Sequence, residues 1–504
     1  MRVGDLLVRT ADRVPDKEAV IEGDVRLTYA GFLDAATRFA AALHRLGIAP
    51  GERVGLLLPN GIAFAVAHFG CLLAGAISLP LNTRLAAREL EFIVNDARVS
   101  ALLVHVMFKD TWGAIRAALT SVRHAIGVGE AHGGLPAFEE LCAEPAGAWS
   151  PPAGGDGEDD VACILYTSGT TGRPKGAMMT HRNILFNNTS CKAHLGVLST
   201  DRTLIVLPMF HVTALNSQLS VFVEIGGTMA IMAAYKTQEV IRQLAGHRIT
   251  CAILVPTICT LMLISPHLAE GDLGALRLIA YGGAPMPAET IKGLQERFPG
   301  LAIVNLYGLT ETSSLSTALP PADAATRAGS VGLPVSRTTI RIVDEGGRDL
   351  PAGAVGEIWI KGGQVVRGYF NRPEATAQAI ADGWLRTGDL GRLDDQGYLY
   401  VVDRKKDMII RGGENIYCIE VEEVLNAHPS VLESAVVPHP DPIFGEVVKA
   451  VCVLRPGARA GADEIIAFCK GRLADYKVPA HLRFLEELPR NPGGKVLKAA
   501  LRPL

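Results

Sequence analysis

Residues 167–176 combine hydroxyl side chains, glycines and a lysine in the order Thr-Ser-Gly-Thr-Thr-Gly-Arg-Pro-Lys-Gly. Glycine lets the backbone adopt positive φ values and approach an anion closely. Successive backbone amides and hydroxyl groups supply hydrogen-bond donors, and a lysine adds a positive point charge. The segment therefore predicts a polyphosphate-binding loop formed by Thr167, Ser168, Gly169, Thr170, Thr171, Gly172 and Lys175.

The neighbouring sequence predicts how this loop is positioned. The apolar run at 161–166 has the composition of a strand, and Thr180 can cap a helix that begins at His181. We therefore expect the loop to join a strand to a helix. The spacing is neither that of a Walker A loop nor the Gly-x-Gly-x-x-Gly of dinucleotide folds. An ordinary turn is the alternative, because glycine, serine and threonine are common in plain turns.

Several later strands are predicted to end in turns that carry polar or aromatic residues. In an open parallel sheet such turns gather at the carboxyl edge, where ligands bind. The strand at 204–208 leads to His211, for which a packed core histidine is the alternative. The strand at 251–255 breaks at Pro256, and the strand at 276–280 runs into the glycine-containing turn at 281–285.

The next turn, at 307–312, carries three groups suited to a nucleotide. Tyr307 offers a ring on which a base could stack, and Thr310 offers a hydroxyl. Glu311 offers a carboxylate oxygen for Mg²⁺, which usually takes one or two carboxylates together with substrate phosphates. A turn with a solvated glutamate is the alternative interpretation.

Two further residues could reach a ligand from loops. Asp389 follows a glycine and could accept hydrogen bonds from both ribose hydroxyls, although aspartate in a loop is often a turn former. Lys495 lies on a glycine-rich turn near the end of the chain and could reach an active site. A solvated surface charge is the alternative for Lys495.

Composition limits the partners and the compartment. The chain has 504 residues, a formal net charge of -3 and 20% charged residues, so neither nucleic acid nor an anionic membrane is an expected partner. The apolar window at 62–81 contains His68 and is interpreted as a buried helix followed by a strand rather than a membrane span. A charged amino-terminal segment without an apolar core does not predict export. Nine cysteines without a C-x-x-C pair indicate reduced thiols in the cytoplasm.

The order of helical and strand patterns predicts an α/β protein. We expect a large N-terminal domain at 1–403, built of parallel α/β subdomains with a small β-barrel-like subdomain at about 330–402. The charge density rises at 403–407, and a smaller, mobile α+β domain is expected at 404–504.

Five segments in the same order along the chain resemble those of the acyl-adenylate-forming enzymes, and the resemblance covers essentially the whole chain. This family includes acyl-CoA synthetases, adenylation domains of peptide synthetases and beetle luciferases. The segments are the loop at 166–176, Tyr-Gly-Leu-Thr-Glu at 307–311, Thr-Gly-Asp-Leu at 387–390, Asp-Arg-Lys-Lys-Asp at 403–407 and Pro-Arg-Asn-Pro-Gly-Gly-Lys-Val at 489–496. One departure is Cys418, where the family commonly has proline.

The resemblance implies a role for each matching position. Residues 167–175 resemble the loop that holds the β- and γ-phosphates, and Lys406 resembles the hinge of the small domain. Lys495 resembles the lysine that bridges the substrate carboxylate and the α-phosphate. The implied nucleotide, metal and pantetheine contacts are Gly282, Gly283, Ala284, Pro285, Asn305, Tyr307 and Gly308 for adenine, Thr310 for the α-phosphate, Glu311 for Mg²⁺, Asp389 and Arg404 for ribose, and Gly412, Gly413 and Asn415 for the pantetheine tunnel.

The implied reaction consumes ATP, Mg²⁺, a carboxylic acid and coenzyme A, with an acyl-AMP intermediate. The acid pocket is expected to lack arginine and lysine, which disfavours dicarboxylic acids and leaves fatty and aryl acids, with a slight preference for an aliphatic chain. Its expected members are His211, which we also count as catalytic, Thr213, Ser217, Val255, Gly283, Asn305 and Leu309. A homodimer is compatible with the sequence. The alternatives are an adenylation enzyme that loads a carrier protein and an inactive nucleotide-binding interaction protein.

Lys495→Ala is expected to slow adenylation by roughly 10²–10³-fold, the scale of removing one preorganised donor. Thioester formation from preformed acyl-adenylate is expected to survive, because no anionic nucleophile then approaches the phosphate. Both half-reactions are measured separately, and an equal loss in both would contradict the role of Lys495.

Overall fold

Two largely parallel sheets covered by helices, and two smaller sheets after them, make up the computed structural model. It describes residues 1–130, 134–147, 149–152, 157–167, 174–269, 271–405, 407–412, 414–470, 472–490 and 496–504. The strands are β1 (Glu18–Glu22), β2 (Val25–Thr28), β3 (Arg53–Leu57), β4 (Ile77–Pro80), β5 (Val99–His105), β6 (His124–Val128), β7 (Val161–Thr167), β8 (Lys175–Thr180), β9 (Arg202–Ile205), β10 (Thr228–Ile231), β11 (Cys251–Leu254), β12 (Leu278–Gly282), β13 (Ala302–Tyr307), β14 (Thr317–Ala318), β15 (Leu333–Pro334), β16 (Thr339–Val343), β17 (Gly356–Lys361), β18 (Ile380–Ala381), β19 (Trp384–Leu393), β20 (Leu399–Arg404), β21 (Ile409–Arg411), β22 (Glu414–Ile416), β23 (Val431–Asp441), β24 (Gly445–Leu454) and β25 (His481–Phe484).

Helices alternate with these strands over the first half of the chain, as the sequence patterns predict. They are α1 (Gly4–Arg13), α2 (Tyr29–Arg45), α3 (Ile62–Leu73), α4 (Ala87–Asp96), α5 (Lys109–Ile115), α6 (Phe138–Ala143), α7 (His181–Leu195), α8 (Val221–Ile225), α9 (Thr237–Gly246), α10 (Pro256–Leu263), α11 (Ala288–Arg297), α12 (Pro373–Ala379), α13 (Cys418–Asn426), α14 (Ala462–Lys470) and α15 (Lys498–Leu501). A π-helix (Thr213–Ser220) precedes α8, and a 3-10 helix (Thr310–Thr312) follows β13.

Four sheets are formed within the described residues. The nine-stranded sheet has the order β15-β14-β13-β12-β11-β9-β10-β1-β2, and the six-stranded sheet has the order β6-β5-β3-β4-β7-β8. Both are parallel except at their edges. The third sheet is antiparallel, with β16-β17-β19-β18 and β20 beside β19. The fourth sheet has β22-β21-β24-β23, with β25 beside β24. The predicted α/β class is confirmed.

The main hydrophobic core lies between the nine-stranded and the six-stranded sheets. Val20 of β1 and Val54 of β3 belong to the same buried cluster as aromatic residues of α2 and α3. Phe32 and Phe69 are fully buried, with ring centroids 5.5 Å apart in an edge-to-face arrangement. Helices α9, α10 and α11 cover the other face of the nine-stranded sheet, and α4 and α5 cover that of the six-stranded sheet. This layered packing fixes the carboxyl edges of the strands relative to one another.

The apolar window at 62–81 forms a helix and a strand, as predicted. Helix α3 is apolar on most of its surface, which is typical of a helix buried on all sides. β4 follows it and lies fully buried in the six-stranded sheet. Among the described residues, no helix combines the length and the hydropathy needed to cross a bilayer.

One prediction about the glycine-rich loop was wrong. The loop does not join a strand directly to a helix, because residues 175–180 form β8, which pairs antiparallel with β7. Helix α7 begins only after β8, at His181, and Thr180 caps it as predicted by accepting from the amide nitrogen of Asn183 at 3.2 Å. The pairing requires Gly176, because a side chain there would clash with the ring of Tyr166. The strands on either side of the loop, β7 and β8, therefore form a β-hairpin.

Asp389 also differs from its predicted setting in a loop. It lies on β19, next to Gly388, which has a φ of 72°. The pairing with β17 is irregular there, since Trp359 pairs with Arg386 and Glu357 pairs with Leu390. Bulges of this kind redirect side chains and are frequent beside active sites. The glycine that indicated a loop in the sequence therefore marks a bulge within a strand.

Candidate active site at the carboxyl edge of the nine-stranded sheet

The turn after β13 carries the predicted metal-binding carboxylate. Gly308 begins this turn, and a Cβ at that position would overlap the carbonyl oxygen of Ser314, so only glycine fits. The amide of Leu309 donates to Thr312 Oγ1 at 2.8 Å. Ser314 has a φ of 118°, a value that costs energy for a residue with a side chain. This tightly constrained turn fixes the positions of Thr310 and Glu311.

Two hydroxyl groups from distant parts of the chain meet the carboxylate of Glu311. Thr167 Oγ1 donates to Glu311 Oε1 at 3.4 Å, and the hydroxyl of Tyr369 donates to the same oxygen at 2.9 Å. Thr167 is the last residue of β7, so the base of the glycine-rich hairpin lies against the Glu311 turn. The structure therefore brings together Thr167 and Glu311, which the sequence analysis assigned to one nucleotide site.

Main-chain hydrogen bonds hold this junction in place. We call residues 366–370 the bridging segment. The amide of Val366 donates to the carbonyl of Glu311 at 3.0 Å, and the amide of Phe370 donates to the carbonyl of Gly176 at 2.8 Å. Between them, residues 367 and 368 exchange two hydrogen bonds with Met178 of β8. The bridging segment thus ties the glycine-rich hairpin to the Glu311 turn.

Tyr369 was missed by the sequence analysis. Its ring lies beside Lys175, whose Nζ is 5.3 Å from the ring centroid, within the range of a cation–π contact. Burial and the neighbouring Glu311 carboxylate raise the pKa of the Tyr369 phenol, so its hydroxyl remains a hydrogen-bond donor. An aromatic residue after Arg-Gly carries no signal of these contacts, because both partners lie far away in the sequence.

A second polar cluster joins three residues that the sequence analysis assigned to the nucleotide. The hydroxyl of Tyr307 donates to Asp389 Oδ2 at 2.7 Å, and Arg404 Nε lies 3.2 Å from Asp389 Oδ1. Asp389 is only 4% exposed. Burial and the Asp389 carboxylate raise the pKa of Tyr307, which keeps its phenol protonated and donating. Each carboxylate oxygen of Asp389 therefore has one protein partner.

The predicted adenine contacts lie at the ends of two neighbouring strands. Gly282 ends β12 and is paired with Leu306 of β13, and Gly283 follows with a φ of 83°. Residues 283–285 are exposed. Asn305, in contrast, is buried, and its Nδ2 donates to the carbonyl of Ser330 at 2.9 Å. Its side chain thus ties β13 to the chain that leads into the third sheet.

Two of the residues predicted for the acid pocket, Ser217 and Leu309, lie at the same turn. Ser217 belongs to the π-helix, a rare element that is frequent at functional sites, and its hydroxyl donates to Ser314 Oγ at 2.8 Å. Thr213 begins this π-helix, and His211 precedes it. Val255 precedes the first residue of α10, and Leu309 belongs to the turn itself.

The structure places the predicted pantetheine residues in a different sheet. Gly412 and Asn415 belong to the β21–β22 hairpin of the fourth sheet, where the amide of Gly412 donates to the carbonyl of Phe444 at 2.8 Å. Several other predicted site residues lie outside the described residues: Ser168, Gly169, Thr170, Thr171, Gly172, Lys406, Gly413 and Lys495.

The residues present fit MgATP. No ion pair of the described residues involves Glu311, so its negative charge is not neutralised by a side chain of that part of the protein. One carboxylate, completed by substrate phosphates, is a common arrangement for Mg²⁺. Lys175 carries a positive charge suited to phosphates. The described residues predicted to bind metal, phosphate and ribose thus include Glu311 of this turn, Thr167 and Lys175 of the neighbouring hairpin, and Asp389, which is hydrogen-bonded to Tyr307 just before the turn.

Comparison with known proteins identifies the family. Residues 7–370 match the family model of the AMP-binding enzymes, and residues 420–495 match that of the AMP-binding enzyme C-terminal domain. A feruloyl-CoA synthase of Amycolatopsis sp is 39% identical over 500 residues, covering 99% of this chain and 98% of the relative. The long-chain-fatty-acid–CoA ligase FadD13 of Mycobacterium tuberculosis is 38% identical over 505 residues, with 99% and 98% covered.

Solved structures agree with this assignment. The anthranilate CoA ligase AuaEII in complex with anthranoyl-AMP superimposes with a TM-score of 0.93 at 28% identity, covering 100% of this chain and 97% of the other. The o-succinylbenzoate CoA synthetase of Bacillus subtilis in complex with its acyl-adenylate gives a TM-score of 0.87 at 34% identity, with 98% and 97% covered. The chain therefore belongs to the family of AMP-binding, acyl-adenylate-forming enzymes, as its motifs predict.

Proposed function

We propose that this protein activates a fatty or aryl carboxylic acid with ATP and transfers the acyl group to coenzyme A. In the first step the acid carboxylate attacks the α-phosphorus of MgATP, giving acyl-AMP and pyrophosphate. In the second step the thiol of coenzyme A attacks the acyl carbon, giving acyl-CoA and AMP, with loss of the thiol proton. The observation that carries this proposal is the meeting of Thr167, Glu311 and Tyr369 at one constrained turn, because it joins the phosphate loop to a metal-binding carboxylate.

Electrostatic repulsion dominates the first step. Two unit negative charges about 4 Å apart repel by roughly 4 kcal/mol at an effective dielectric near 20, which corresponds to about a thousandfold in rate. Positive charge is therefore needed where the acid meets the phosphate. In our proposal it comes from the Mg²⁺ that enters with ATP, held at Glu311, and from Lys175 and Lys495.

The geometry of the second cluster supports the remaining nucleotide contacts of our proposal. Each oxygen of a carboxylate can accept two hydrogen bonds. Asp389 uses one position on each oxygen for Tyr307 and Arg404. A second position on each oxygen is left for the two ribose hydroxyls. We assign the adenine to residues 282–285 and the ring of Tyr307, and the α-phosphate to Thr310.

We propose an acid pocket formed by His211, Thr213, Ser217, Val255, Gly283, Asn305 and Leu309. None of these residues is an arginine or a lysine, so a second carboxylate in the substrate would lack a guanidinium or ammonium partner. The names of the two relatives cover both kinds of acid, since one names a feruloyl group and the other a long-chain fatty acid. We place the reaction in the cytoplasm, because the nine cysteines are free thiols.

We further propose that the chain divides at 403/404 and that the C-terminal part turns about Lys406 between the two half-reactions. Residues from 409 onwards have their own sheet and their own buried core, which includes Ile409, Val421 and Val448. Among the links that cross the proposed boundary is a buried one: the carboxylate of Asp403 accepts from the amide of Cys418, the first residue of α13, at 2.5 Å.

We expect acid-dependent pyrophosphate release to distinguish substrates from non-substrates in a panel of fatty, aryl and dicarboxylic acids. The release is measured for each acid with and without coenzyme A. Fatty or aryl acids should give AMP as the nucleotide product, and acyl-CoA should form only in the presence of coenzyme A. Formation of ADP would contradict the reaction. Release of pyrophosphate without any thioester would favour a carrier-protein acceptor, and no acid-dependent turnover would favour an inactive nucleotide-binding protein.

Tyr307→Phe is expected to raise the KM for ATP about tenfold, the scale of one hydrogen bond to a charged group, and to leave the KM for the acid unchanged. The substitution keeps the ring but removes the hydroxyl that orients Asp389. Tyr398→Phe is the matched control, because the hydroxyl of Tyr398 also donates to an aspartate, Asp323, at 2.7 Å. An equal change in both variants would contradict a nucleotide role for Tyr307.

Cys418→Pro is expected to change the ratio of the two half-reaction rates by about two- to tenfold, the range of one hydrogen bond. Proline is accepted at the first position of a helix but lacks the amide that bonds Asp403. Cys418→Ala keeps this amide and should keep the wild-type ratio. If the two variants behaved alike in single-turnover measurements, the link across the boundary would have no part in domain motion.

A further inference from the structure

The carboxylate of Glu311 is held through one of its two oxygens. Both hydroxyl donors, from Thr167 and Tyr369, reach Oε1. No hydrogen bond or ion pair of the described residues reaches Oε2. The carboxylate is therefore oriented by neutral donors, which leave its charge intact, and its second oxygen is available to a cation.

Tyr369 also lies between two opposite charges. Its hydroxyl contacts Glu311, while Lys175 Nζ lies 5.3 Å from its ring centroid. Both charged residues are described by the structure, and they do not form an ion pair with each other. A direct ion pair would neutralise the cation needed for phosphate and the anion needed for metal. In the structure Lys175 contacts the ring of Tyr369 instead.

The backbone of Tyr369 is held firmly enough for this role. Its amide donates to Thr376 Oγ1 at 2.9 Å, and it forms a bridge with Ala177 of β8. The preceding Gly368 has a φ of 141°, and a side chain there would collide with Thr376. The chain therefore enters Tyr369 in a conformation that only glycine adopts without strain.

We propose that Tyr369 is a positioning residue for MgATP. Its hydroxyl fixes Glu311 Oε1 so that Oε2 faces the metal, and its ring prevents Lys175 from pairing with Glu311. This inference rests on the proposed function, in which Glu311 binds Mg²⁺ and Lys175 binds phosphate. It assigns separate tasks to the hydroxyl and the ring, so two substitutions can test them separately.

Tyr369→Phe removes only the hydroxyl. We expect the Mg²⁺ concentration for half-maximal adenylation to rise about tenfold, which is the scale of one hydrogen bond to a charged group. The KM for ATP at saturating Mg²⁺ should be nearly unchanged. Tyr369→Leu also removes the ring. We expect it to raise the KM for ATP about tenfold even at saturating Mg²⁺, because Lys175 can then pair with Glu311.

Calorimetric titration of ATP with and without Mg²⁺ provides a readout that does not depend on turnover. The gain in ATP affinity caused by Mg²⁺ should fall about tenfold in Tyr369→Phe. Tyr166→Phe is the matched control, because Tyr166 lies on the same hairpin and its hydroxyl donates to the carboxylate of Asp96 at 2.6 Å. This control should lose thermal stability while keeping the wild-type gain in affinity.

The proposal would be overturned if Mg²⁺ increased ATP affinity equally in Tyr369→Phe and in the wild type while only the melting temperature of the variant fell. Tyr369 would then be a structural residue. Unchanged ATP affinity in Tyr369→Leu would overturn the role of the ring. Failure of the proposed function would look different, because the wild-type protein would then show no acid-dependent pyrophosphate release, whereas the titrations with ATP would still report on Tyr369.

Discussion

The carboxylate of Glu311 and its two hydroxyl donors are the interaction on which the site depends. Thr167 comes from the six-stranded sheet, Glu311 from the turn after the nine-stranded sheet, and Tyr369 from the bridging segment between the third sheet and α12. A hydrogen bond to a buried or half-buried charged group is stronger than one between neutral groups. The meeting of these three parts therefore fixes the hairpin of β7 and β8 relative to the carboxyl edge of the nine-stranded sheet, where we propose that the nucleotide binds.

The site must hold opposite charges close together without letting them neutralise each other. Glu311 is satisfied by hydroxyls rather than by a cation, and Lys175 lies against an aromatic ring rather than a carboxylate. At the proposed ribose site the opposite arrangement is found, since Asp389 forms an ion pair with Arg404 and also accepts from Tyr307. This difference is consistent with the proposed ligands, because ribose hydroxyls are neutral whereas phosphates and Mg²⁺ are charged.

The C-terminal part of the chain adds a second constraint. Its core is separate, and the link from Asp403 to the amide of Cys418 joins it to β20. A proline at 418, which the resemblance leads one to expect, could not donate this bond. The structure therefore contains a hydrogen bond to Asp403 that a proline in place of Cys418 would remove. If this part turns between half-reactions, breaking the bond contributes to the barrier.

The sequence by itself determined the elements and residues that act locally. The cap at Thr180 and the order Tyr307, Thr310, Glu311 after a strand were predicted correctly, because a capping hydroxyl and a glycine-dependent turn act over a few residues. The α/β class followed from periodicity for the same reason. The glycine before Asp389 was misinterpreted as a loop, because a bulge is defined by the pairing of neighbouring strands, which composition does not reveal.

Only the tertiary structure decided which of these residues meet. Tyr369 lies 58 positions from Glu311, and Thr167 lies 144 positions from it, so their contacts depend on how two sheets pack and not on any local pattern. The second strand of the glycine-rich hairpin was also hidden, since Lys-Gly-Ala-Met-Met-Thr forms a strand only because β7 offers an edge with which it can pair. These contacts are set by the packing of the layers, which brings together residues that are distant in the sequence.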